Sequence, residues 1–400
     1  MQAYGDLFRH PQVKKLLSTN VLGRLPEGMG PLVVALFLRA HGFEYGAVGV
    51  LVAMYGISAA VGTPVLGRCV DLYGQVRVLS VCMVASTAGF LVLSATSADQ
   101  VLLAGGGIML AGLFTPPLEP CLRSLWPRVL NSGRAIHTAY ALDATLQELV
   151  FICGPLLVLL AVEMTGPTGA VITTGVLGLV GTLLFISSPP VRAWRAEPRT
   201  ADWAGPLRSP TLRRVLMGLV FAGATIGLLN ISVIAYGEAH RSSELPGVIL
   251  AVNALGALIG GLVYGSRRWP GSPETRFRLL MFTLAVGYLP LAFTPPPVVL
   301  VPCAILSGVS LAPALAGAFA VVGGSVPAGT TTEAFAWLVT IFMMGNAVGS
   351  TVAGTLLEHA SLTAAFCAPP VSALLGFLVL LGSAVRRRSP RSVHEKEIAH

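Results

Sequence analysis

Apolar residues run without interruption for about 20 positions at a time along most of the chain, and short polar connections rich in Arg, Gly and Pro separate the runs. A helix of about 20 residues crosses a hydrocarbon core of ~30 Å. The strands of a membrane β-barrel would instead alternate apolar and polar residues over ~10 positions. The pattern therefore predicts an all-α integral membrane protein with twelve transmembrane helices. We place the spans near 16–38, 46–66, 77–97, 101–121, 136–161, 167–188, 213–236, 246–265, 278–295, 298–322, 333–357 and 363–384.

The composition indicates an outer surface that faces lipid. Hydrophobic residues make up 54% of the chain, charged residues only 11%, and the mean hydropathy is +0.76, whereas soluble domains carry roughly 25% charged residues. The net charge of +8 does not indicate a nucleic-acid partner, because the arginines lie in short loops and form no basic face with interleaved aromatic residues. Five of the six cysteines lie in or beside apolar runs and Cys69 lies in a loop, which favours free thiols over a disulfide framework.

Basic residues predict the orientation, because Lys and Arg prefer the cytoplasmic side of a membrane. With a cytoplasmic N-terminus, 23 of the 26 basic residues fall on the cytoplasmic side, Arg39 and Arg241 fall outside, and Arg24 lies within a span. We therefore expect a multi-pass protein of the inner (plasma) membrane with both termini in the cytoplasm. The first apolar run is too long for the core of a cleavable signal peptide, so we interpret it as an uncleaved span.

The longest polar connection divides the chain into two sets of about six spans. We predict an N-terminal bundle at 1–188, a cytoplasmic linker at 189–211, a C-terminal bundle at 212–385 and a basic cytoplasmic tail at 386–400. The two sets resemble each other, and repeats with an even number of spans run parallel, as in transporters that bind substrate near the midplane between the halves. Matching residues recur at offsets of 195 to 198: Gly49, Ala53 and Gly62 with Gly247, Ala251 and Gly260; Gly112 and Pro117 with Gly308 and Pro313; Tyr140, Thr145 and Gly154 with Phe335, Thr340 and Gly349.

The loop after the second span resembles the loop signature of the major facilitator superfamily. The matching residues are Gly67, Asp71, Gly74 and Arg77, whereas Leu72 and Gln75 depart from the signature by removing two cations. The resemblance implies two pseudo-symmetric six-helix bundles, and it implies that Asp71 meets the start of the eleventh helix and latches the cytoplasmic side shut. An anion at a helix N-terminus is favoured by ~0.3–1 kcal/mol. The alternative is that Asp71 merely closes a tight turn.

Two further pairs belong with this cytoplasmic gate. Thr330 and Glu333 have the spacing of a capping box at the start of the eleventh span. Glu119 and Arg123 share one helix face near the cytoplasmic end of the fourth span, and we interpret them as an ion pair that fixes helix packing.

The fifth span contains Gly154-Pro155, which is similar to the core of the antiporter signature of proton-driven exporters in this superfamily. The further glycines of that signature are absent, since Leu156, Leu157 and Val158 follow. The resemblance therefore favours export by a twelve-helix proton-coupled exporter, and proton-driven uptake stays open. A proline is also common in transmembrane helices for structural reasons.

Ionisable residues inside the bilayer cost about 2.5–3.5 kcal/mol each on insertion scales, so they are functional candidates. Most lie in the first half: Arg24, Glu27, Glu119, Arg123, Asp143 and Glu148. We predict Glu27 and Glu148, near the middle of their spans, as proton carriers, with Asp143 beside them and Arg24 as the modulating cation. The alternative is a static buried ion pair, such as Arg24 with Glu148.

The resemblance places a substrate cavity between the halves. Its second-half wall is predicted to include Asn230, Tyr236, Asn253, Trp337 and Asn346, each of which could instead serve helix packing. A largely apolar cavity with charge on one wall suits an amphipathic or cationic small molecule.

These observations favour a proton-coupled secondary transporter, with a proton gradient as the driving force and no cofactor or metal. A receptor or scaffold on the same fold is the alternative from another class. We expect a monomer and no enzymatic activity, since no phosphate loop, metal-ligand spacing or nucleophile–base constellation is present in the sequence.

Overall fold

The computed structural model describes residues 2–197 and 204–388, and of residues 2 and 382–388 it describes the backbone alone. That part of the chain is almost entirely helical and contains no strand. The α-helices are α1 Gln2–Phe8, α2 Pro11–Ala40, α3 Tyr45–Tyr73, α4 Gln75–Ser94, α5 Val101–Leu113, α6 Leu118–Val129, α7 Gly133–Ile186, α8 Pro189–Ala193, α9 Pro210–Ala239, α10 Leu245–Ser266, α11 Pro273–Tyr288, α12 Pro297–Gly308, α13 Leu311–Gly323, α14 Thr331–His359 and α15 Leu362–Arg388. Two short 3-10 helices span Gly205–Arg208 and Leu289–Phe293.

Eleven described segments are long and apolar enough to cross a membrane, and one of them, α7, forms two spans. Its 54 residues would extend about 81 Å at 1.5 Å per residue, far beyond a hydrocarbon core of ~30 Å. At Gly166 the backbone takes φ 73°, a value that glycine tolerates. The parts before and after Gly166 lie side by side on α2, where Gly28 packs against Gly154 and Gly23 against Gly181. The predicted twelve spans are thus confirmed.

The fourth and tenth spans are each broken in the middle. The fourth consists of α5 and α6, and the break contains Pro116 and Pro117, which cannot continue a helical hydrogen-bond ladder. The tenth consists of α12 and α13, with the break at the equivalent place after Gly308. The sequence predicted the end of the fourth span too early, at residue 121. Helix α6 continues to Val129 because its charged residues are paired inside the protein.

Equivalent glycine contacts make the internal repeat visible in the packing. At each of them a Cβ would overlap the backbone of the neighbouring helix, so only glycine permits the approach. Three pairs of contacts follow the offset of 195 to 198 residues: Gly112 with Tyr55 and Gly308 with Asn253; Gly62 with Leu113 and Gly260 with Val309; Gly154 with Gly28 and Gly349 with Ala224.

The two bundles meet along two seams, α3 with α14 and α7 with α10. The seams are equivalent, because Ala336 packs against Gly67 in the first and Ala141 against Gly265 in the second. Thr340 donates to the carbonyl of Ala60 (3.0 Å) in the first seam. These contacts lie toward the end of the molecule at which α2 begins and α15 ends, which we call the closed end.

Asp71 caps α14 at the closed end. Its carboxylate accepts the backbone N–H groups of Thr332 (3.1 Å) and Glu333 (2.8 Å), which are free donors at the first turn of a helix. The expected capping box is not formed, because Thr330 donates to the carbonyl of Pro327 instead. An acceptor from the first bundle thus takes the place of the local cap, and the cap becomes a bond between bundles.

The other residues of the loop motif shape the connection around Asp71. Gly74 ends α3 and starts α4 with φ 94°, which favours glycine. Gln75, at a position where the signature has a cation, donates to the Cys121 carbonyl and to Ser124 Oγ, both at 3.1 Å. Arg77 is exposed.

Helix α1 and the described parts of the connection between the bundles also lie at the closed end. The hydroxyl of Tyr4 donates to the carbonyl of Leu262 in α10 (2.9 Å), and burial raises the pKa of Tyr4 to about 12. Within the predicted linker, Glu197 pairs with Arg128, and Gly205 lies against the Glu333 carboxylate. The predicted tail at 386–400 lies outside the described residues beyond 388, and the exact bundle boundaries stay a prediction.

Beyond these contacts the same helix faces are exposed. On α3, Gly49, Ala53 and Gly56 continue the stripe that begins with Ala60, and all three are exposed. Ala347 lies seven residues after Thr340 on α14 and is exposed as well. The bundles therefore diverge into a central cleft that opens at the opposite end of the molecule, which we call the open end.

The Gly154 contact leads to a stability prediction. A Cβ at Gly154 would lie 2.5–2.8 Å from the backbone of Gly28, and forced overpacking costs about 1–3 kcal/mol. Gly154→Ala should lower the thermal unfolding midpoint in detergent. Gly106→Ala is the matched control, because Gly106 is exposed and a Cβ there meets nothing within 4 Å. Equal midpoints for the two variants would contradict the contact.

The Asp71 cap leads to a prediction about the closed end. Asp71→Asn removes the charge and replaces one of the two accepting oxygens with an NH2 donor, so only one of the two backbone N–H groups keeps its acceptor. A loss of about 1–2 kcal/mol changes an equilibrium by roughly five- to thirtyfold. Pulsed electron paramagnetic resonance between spin labels at the exposed positions 77 and 268, with the native cysteines replaced by alanine, should show more of the separated state. Asp99→Asn, in the exposed connection after α4, should leave the distances unchanged. A distance distribution for Asp71→Asn that matches the unsubstituted chain would argue against the latch.

Candidate functional site

A buried charge network lies where α2, α6 and α7 meet, and we define it as Arg24, Glu27, Glu119, Arg123 and Asp143. Asp143 bridges the two guanidinium groups, with Oδ1 at 3.1 Å from Nη1 of Arg24 and Oδ2 at 2.7 Å from Nε of Arg123. Glu119 also contacts both, at 3.3 Å from Nη2 of Arg24 and in a short pair with Arg123. Two carboxylates and two guanidinium groups thus form a closed ring.

The helices set this geometry by simple spacing. Glu119 and Arg123 are one turn apart on α6, and Arg24 and Glu27 are three residues apart on α2, so each pair shares a face. Asn20 lies one turn before Arg24 and donates to the carbonyl of Leu118 (2.8 Å), which ties α2 to the start of α6. Both arginine side chains are fully buried, so the carboxylates of the ring, and not water, compensate their charges.

Glu27 is the third carboxylate and lies at the edge of the ring. Its Oε2 is 3.7 Å from Nε of Arg24, the longest separation in the network, and its side chain is 23% exposed, whereas those of Glu119 and Asp143 are 3% and 1% exposed. With every group ionised the network carries two positive and three negative charges. Since an unpaired buried charge costs several kcal/mol, one bound proton balances the network, and Glu27 is the member that the cleft can reach.

The network touches the second bundle directly. The guanidinium of Arg123 lies 3.4 Å from the centroid of the Phe319 ring in α13, a favourable cation–π geometry. Tyr140 packs between Phe319 and Phe335 of the second bundle. Separation of the bundles at the closed end would remove this aromatic cover and admit water to the ring.

Glu148 lies apart from the network. It is half-buried on α7 and forms no ion pair or hydrogen bond within the described residues. The predicted alternative of an Arg24–Glu148 pair is therefore wrong, because Asp143, Glu119 and Glu27 surround the Arg24 guanidinium. The predicted Arg123–Glu119 pair is present.

Gly154 and Pro155 have distinct surroundings. Gly154 is buried at the crossing of α7 and α2, against Gly28, and Pro155 is half-buried one residue later. The structure thus gives Gly154 a packing role, and the exporter role that the resemblance implied for the pair stays a prediction.

Two of the predicted cavity residues are instead part of the packing of the second bundle. Tyr236 is fully buried and donates to the carbonyl of Pro295 (2.6 Å). Asn253 is buried, and its amide donates to Ser307 Oγ (2.8 Å) and to the carbonyl of Ala304 (3.2 Å). Their hydrogen-bonding groups are used between helices, which corrects the placement of both in the cavity.

The remaining cavity candidates differ in direction. Trp337 and Asn346 are nine residues apart on α14, which places them about 180° apart at 100° per residue. Trp337 shares its face with Met344 and Val348, which are 53% and 56% exposed on the outside of the bundle, so its placement in the cavity is also corrected. Asn346 on the opposite face and Asn230 in α9 are half-buried and stay candidates.

Sequence reasoning missed two participants. Gln147 accepts from Nη2 of Arg123 (3.3 Å), and its position four residues after Asp143 is the signal that could have identified it. Phe319 contributes through an apolar ring from the other bundle, and nothing in the local sequence distinguishes it from other core phenylalanines.

An apolar groove of about 470 Å³ lies elsewhere, between α3 and α5 on the outside of the first bundle. Val50, Met54, Leu102 and Met109 contribute to its lining, which contains no charged residue. It is separate from the charge network.

Comparison with known structures finds the same fold. The human organic anion transporter MFSD10 (TETRAN) is 16% identical with a TM-score of 0.70, over 92% of this chain and 99% of the other. A bacterial homologue of the iron transporter ferroportin, in the outward-facing state, is 15% identical with a TM-score of 0.73, over 93% and 99% of the two chains. The Escherichia coli fucose:proton symporter FucP is 12% identical with a TM-score of 0.70, over 92% and 97%. At these identities the likeness concerns the fold.

Sequence comparison adds the family. No curated protein matches the chain, but the family model of the Major Facilitator Superfamily matches residues 19–301, well over half of the chain. Together with the twelve spans and the paired bundles, this match shows that the chain belongs to the major facilitator superfamily.

Proposed function

We propose that the protein is a secondary active transporter that exports a moderately apolar or cationic small molecule in exchange for protons. The observation that carries the proposal is the charge network with three carboxylates and two guanidinium groups. Glu27, which is partly exposed at the edge of that network, borders the central cleft. Glu27 therefore carries the proton in this proposal, and Arg24 sets how readily the proton leaves.

Alternating access follows from the arrangement of the seams. If basic residues place the closed end in the cytoplasm, the cleft opens to the outside in this structure. A proton from that side binds Glu27 and neutralises the network. Opening of the closed end then removes Phe319 from Arg123 and admits water, which stabilises the unprotonated network and lets the proton leave to the cytoplasm.

Two observations favour exchange over the alternatives. Gly154-Pro155 is similar to the antiporter signature, which supports export over uptake. The buried network is costly to maintain and has no evident use in a receptor or scaffold, which would need only a packed interface. We further propose an inner-membrane monomer with both termini in the cytoplasm.

Transport by purified protein in lipid vesicles tests the proposal. A panel of apolar and cationic fluorescent compounds is offered under an imposed pH gradient. Exchange predicts accumulation in vesicles with an acidic lumen, whereas symport predicts accumulation in vesicles with an alkaline lumen. A receptor or scaffold would accumulate no more compound, in either direction, than vesicles without protein.

Two matched variants, Glu27→Gln and Glu44→Gln, test whether Glu27 carries the proton. Glu27→Gln should reduce gradient-driven accumulation at least tenfold, the factor that corresponds to about 1.4 kcal/mol, while downhill exchange of the same compound continues. Glu44→Gln removes an exposed carboxylate just before α3 and should behave like the unsubstituted protein. Accumulation by Glu27→Gln at the unsubstituted level would refute the assignment of the proton to Glu27.

A further inference from the structure

We propose that Glu148 and Phe151 form a binding site for the cationic group of an amphipathic organic ammonium compound, separate from the proton site. This inference rests on the proposed transport function and deepens it, because it names the chemical class of the cargo. It also gives different roles to Glu27 and Glu148, which the sequence analysis predicted alike as proton carriers. Glu27 holds the proton and Glu148 holds the cargo.

The direction of Glu148 follows from the contacts of α7. Thr138 and Ala141 face α10, where Thr138 donates to the carbonyl of Gly265 (2.9 Å) and Ala141 packs on Gly265. Thr145 continues this face against Gly261. At about 100° per residue, Glu148 lies about 60° from Thr145 and one turn farther toward the open end. It therefore projects where the α7–α10 seam ends and the cleft begins.

The charge network occupies the neighbouring face of the same helix. Asp143 and Gln147 both contact Arg123, and Glu148 lies about 100° from Gln147. Its carboxylate is thus placed between the network and the seam that α7 forms with α10 of the second bundle. Both bundles therefore border the space around this carboxylate.

The lack of a protein cation at Glu148 is what distinguishes it from Glu27. Every carboxylate of the charge network lies within 3.7 Å of a guanidinium nitrogen, whereas Glu148 has no ion-pair partner among the described residues. A half-buried carboxylate in a membrane is costly unless a cation or a proton accompanies it. A positively charged ligand from the cleft can provide that charge.

Phe151 adds the second feature of an ammonium site. It lies three residues after Glu148, which places both side chains on one face of α7, and it is 40% exposed. Pro155 and Leu159 continue this face toward the open end, with Leu159 54% exposed. Carboxylate, aromatic ring and apolar wall together match an organic cation with an attached apolar body.

Equilibrium binding to the purified full-length protein tests this site without any gradient or transport. The probes are tetraphenylphosphonium, a permanent organic cation, and triphenylphosphine oxide, a neutral compound with similar rings. Glu148→Gln should weaken tetraphenylphosphonium binding at least tenfold and leave binding of the neutral probe within about twofold, since a tenfold change corresponds to about 1.4 kcal/mol. Phe151→Leu should weaken binding of the cation by roughly threefold to fivefold through loss of the cation–π contact.

Two control variants separate loss of the Glu148 charge from other effects of a substitution in α7. Glu148→Asp retains the charge and should keep binding within about threefold, which separates loss of charge from a folding defect. Glu163→Gln removes an exposed carboxylate on the same helix and should bind both probes like the unsubstituted protein. Unchanged tetraphenylphosphonium binding by Glu148→Gln, or no binding of this cation by the unsubstituted protein, would overturn the inference. Either result leaves gradient-driven transport through Glu27 as a separate question.

Discussion

The imbalance of charge at the centre of the first bundle is the constraint on which the rest of the structure depends. Arg24 and Arg123 are fully buried, and Asp143 and Glu119 each contact both of them. This ring is neutral, so the protein can keep it away from water. Glu27 adds a negative charge at the edge of the ring, and a low-dielectric interior makes that extra charge costly. Binding of one proton would remove this excess negative charge from the network.

The same network lies in contact with both bundles, so the proposed proton binding would depend on how the bundles are placed. Arg123 lies on the ring of Phe319, which belongs to the second bundle, and Asp71 of the first bundle caps α14 of the second. Both contacts join the two bundles at the closed end. Opening there would break them, hydrate the ring and reduce the cost of its negative charge. In the proposed mechanism, proton binding at Glu27 and opening of the closed end are therefore parts of one equilibrium.

The long apolar runs and their offset of 195 to 198 residues were enough to predict the spans and the parallel repeat, because both depend on spacing along the chain. The Asp71 contact was predicted from the resemblance of its loop to the superfamily signature. The sequence predicted the pair within one helix, Glu119 with Arg123, but it could not predict which charges pair between helices. Arg24 and Asp143 are 119 residues apart, and their meeting depends on how α2 and α7 cross at Gly28 and Gly154. The prediction that Tyr236, Asn253 and Trp337 line the cavity was wrong for a related reason. A polar or aromatic residue in a membrane helix serves packing or a cavity according to its neighbours, which the local sequence does not contain.

Infrared spectroscopy of the purified protein during a pH titration can locate the proton, because a protonated carboxylic acid and a carboxylate absorb at different frequencies. If Glu27 holds the proton, a buried carboxylic acid band titrates in the unsubstituted protein, and Glu27→Gln removes that band while the protein stays folded. If Glu27→Gln keeps every carboxylic acid band of the unsubstituted protein, the network holds its proton elsewhere or holds none, and Glu27 is not the proton carrier.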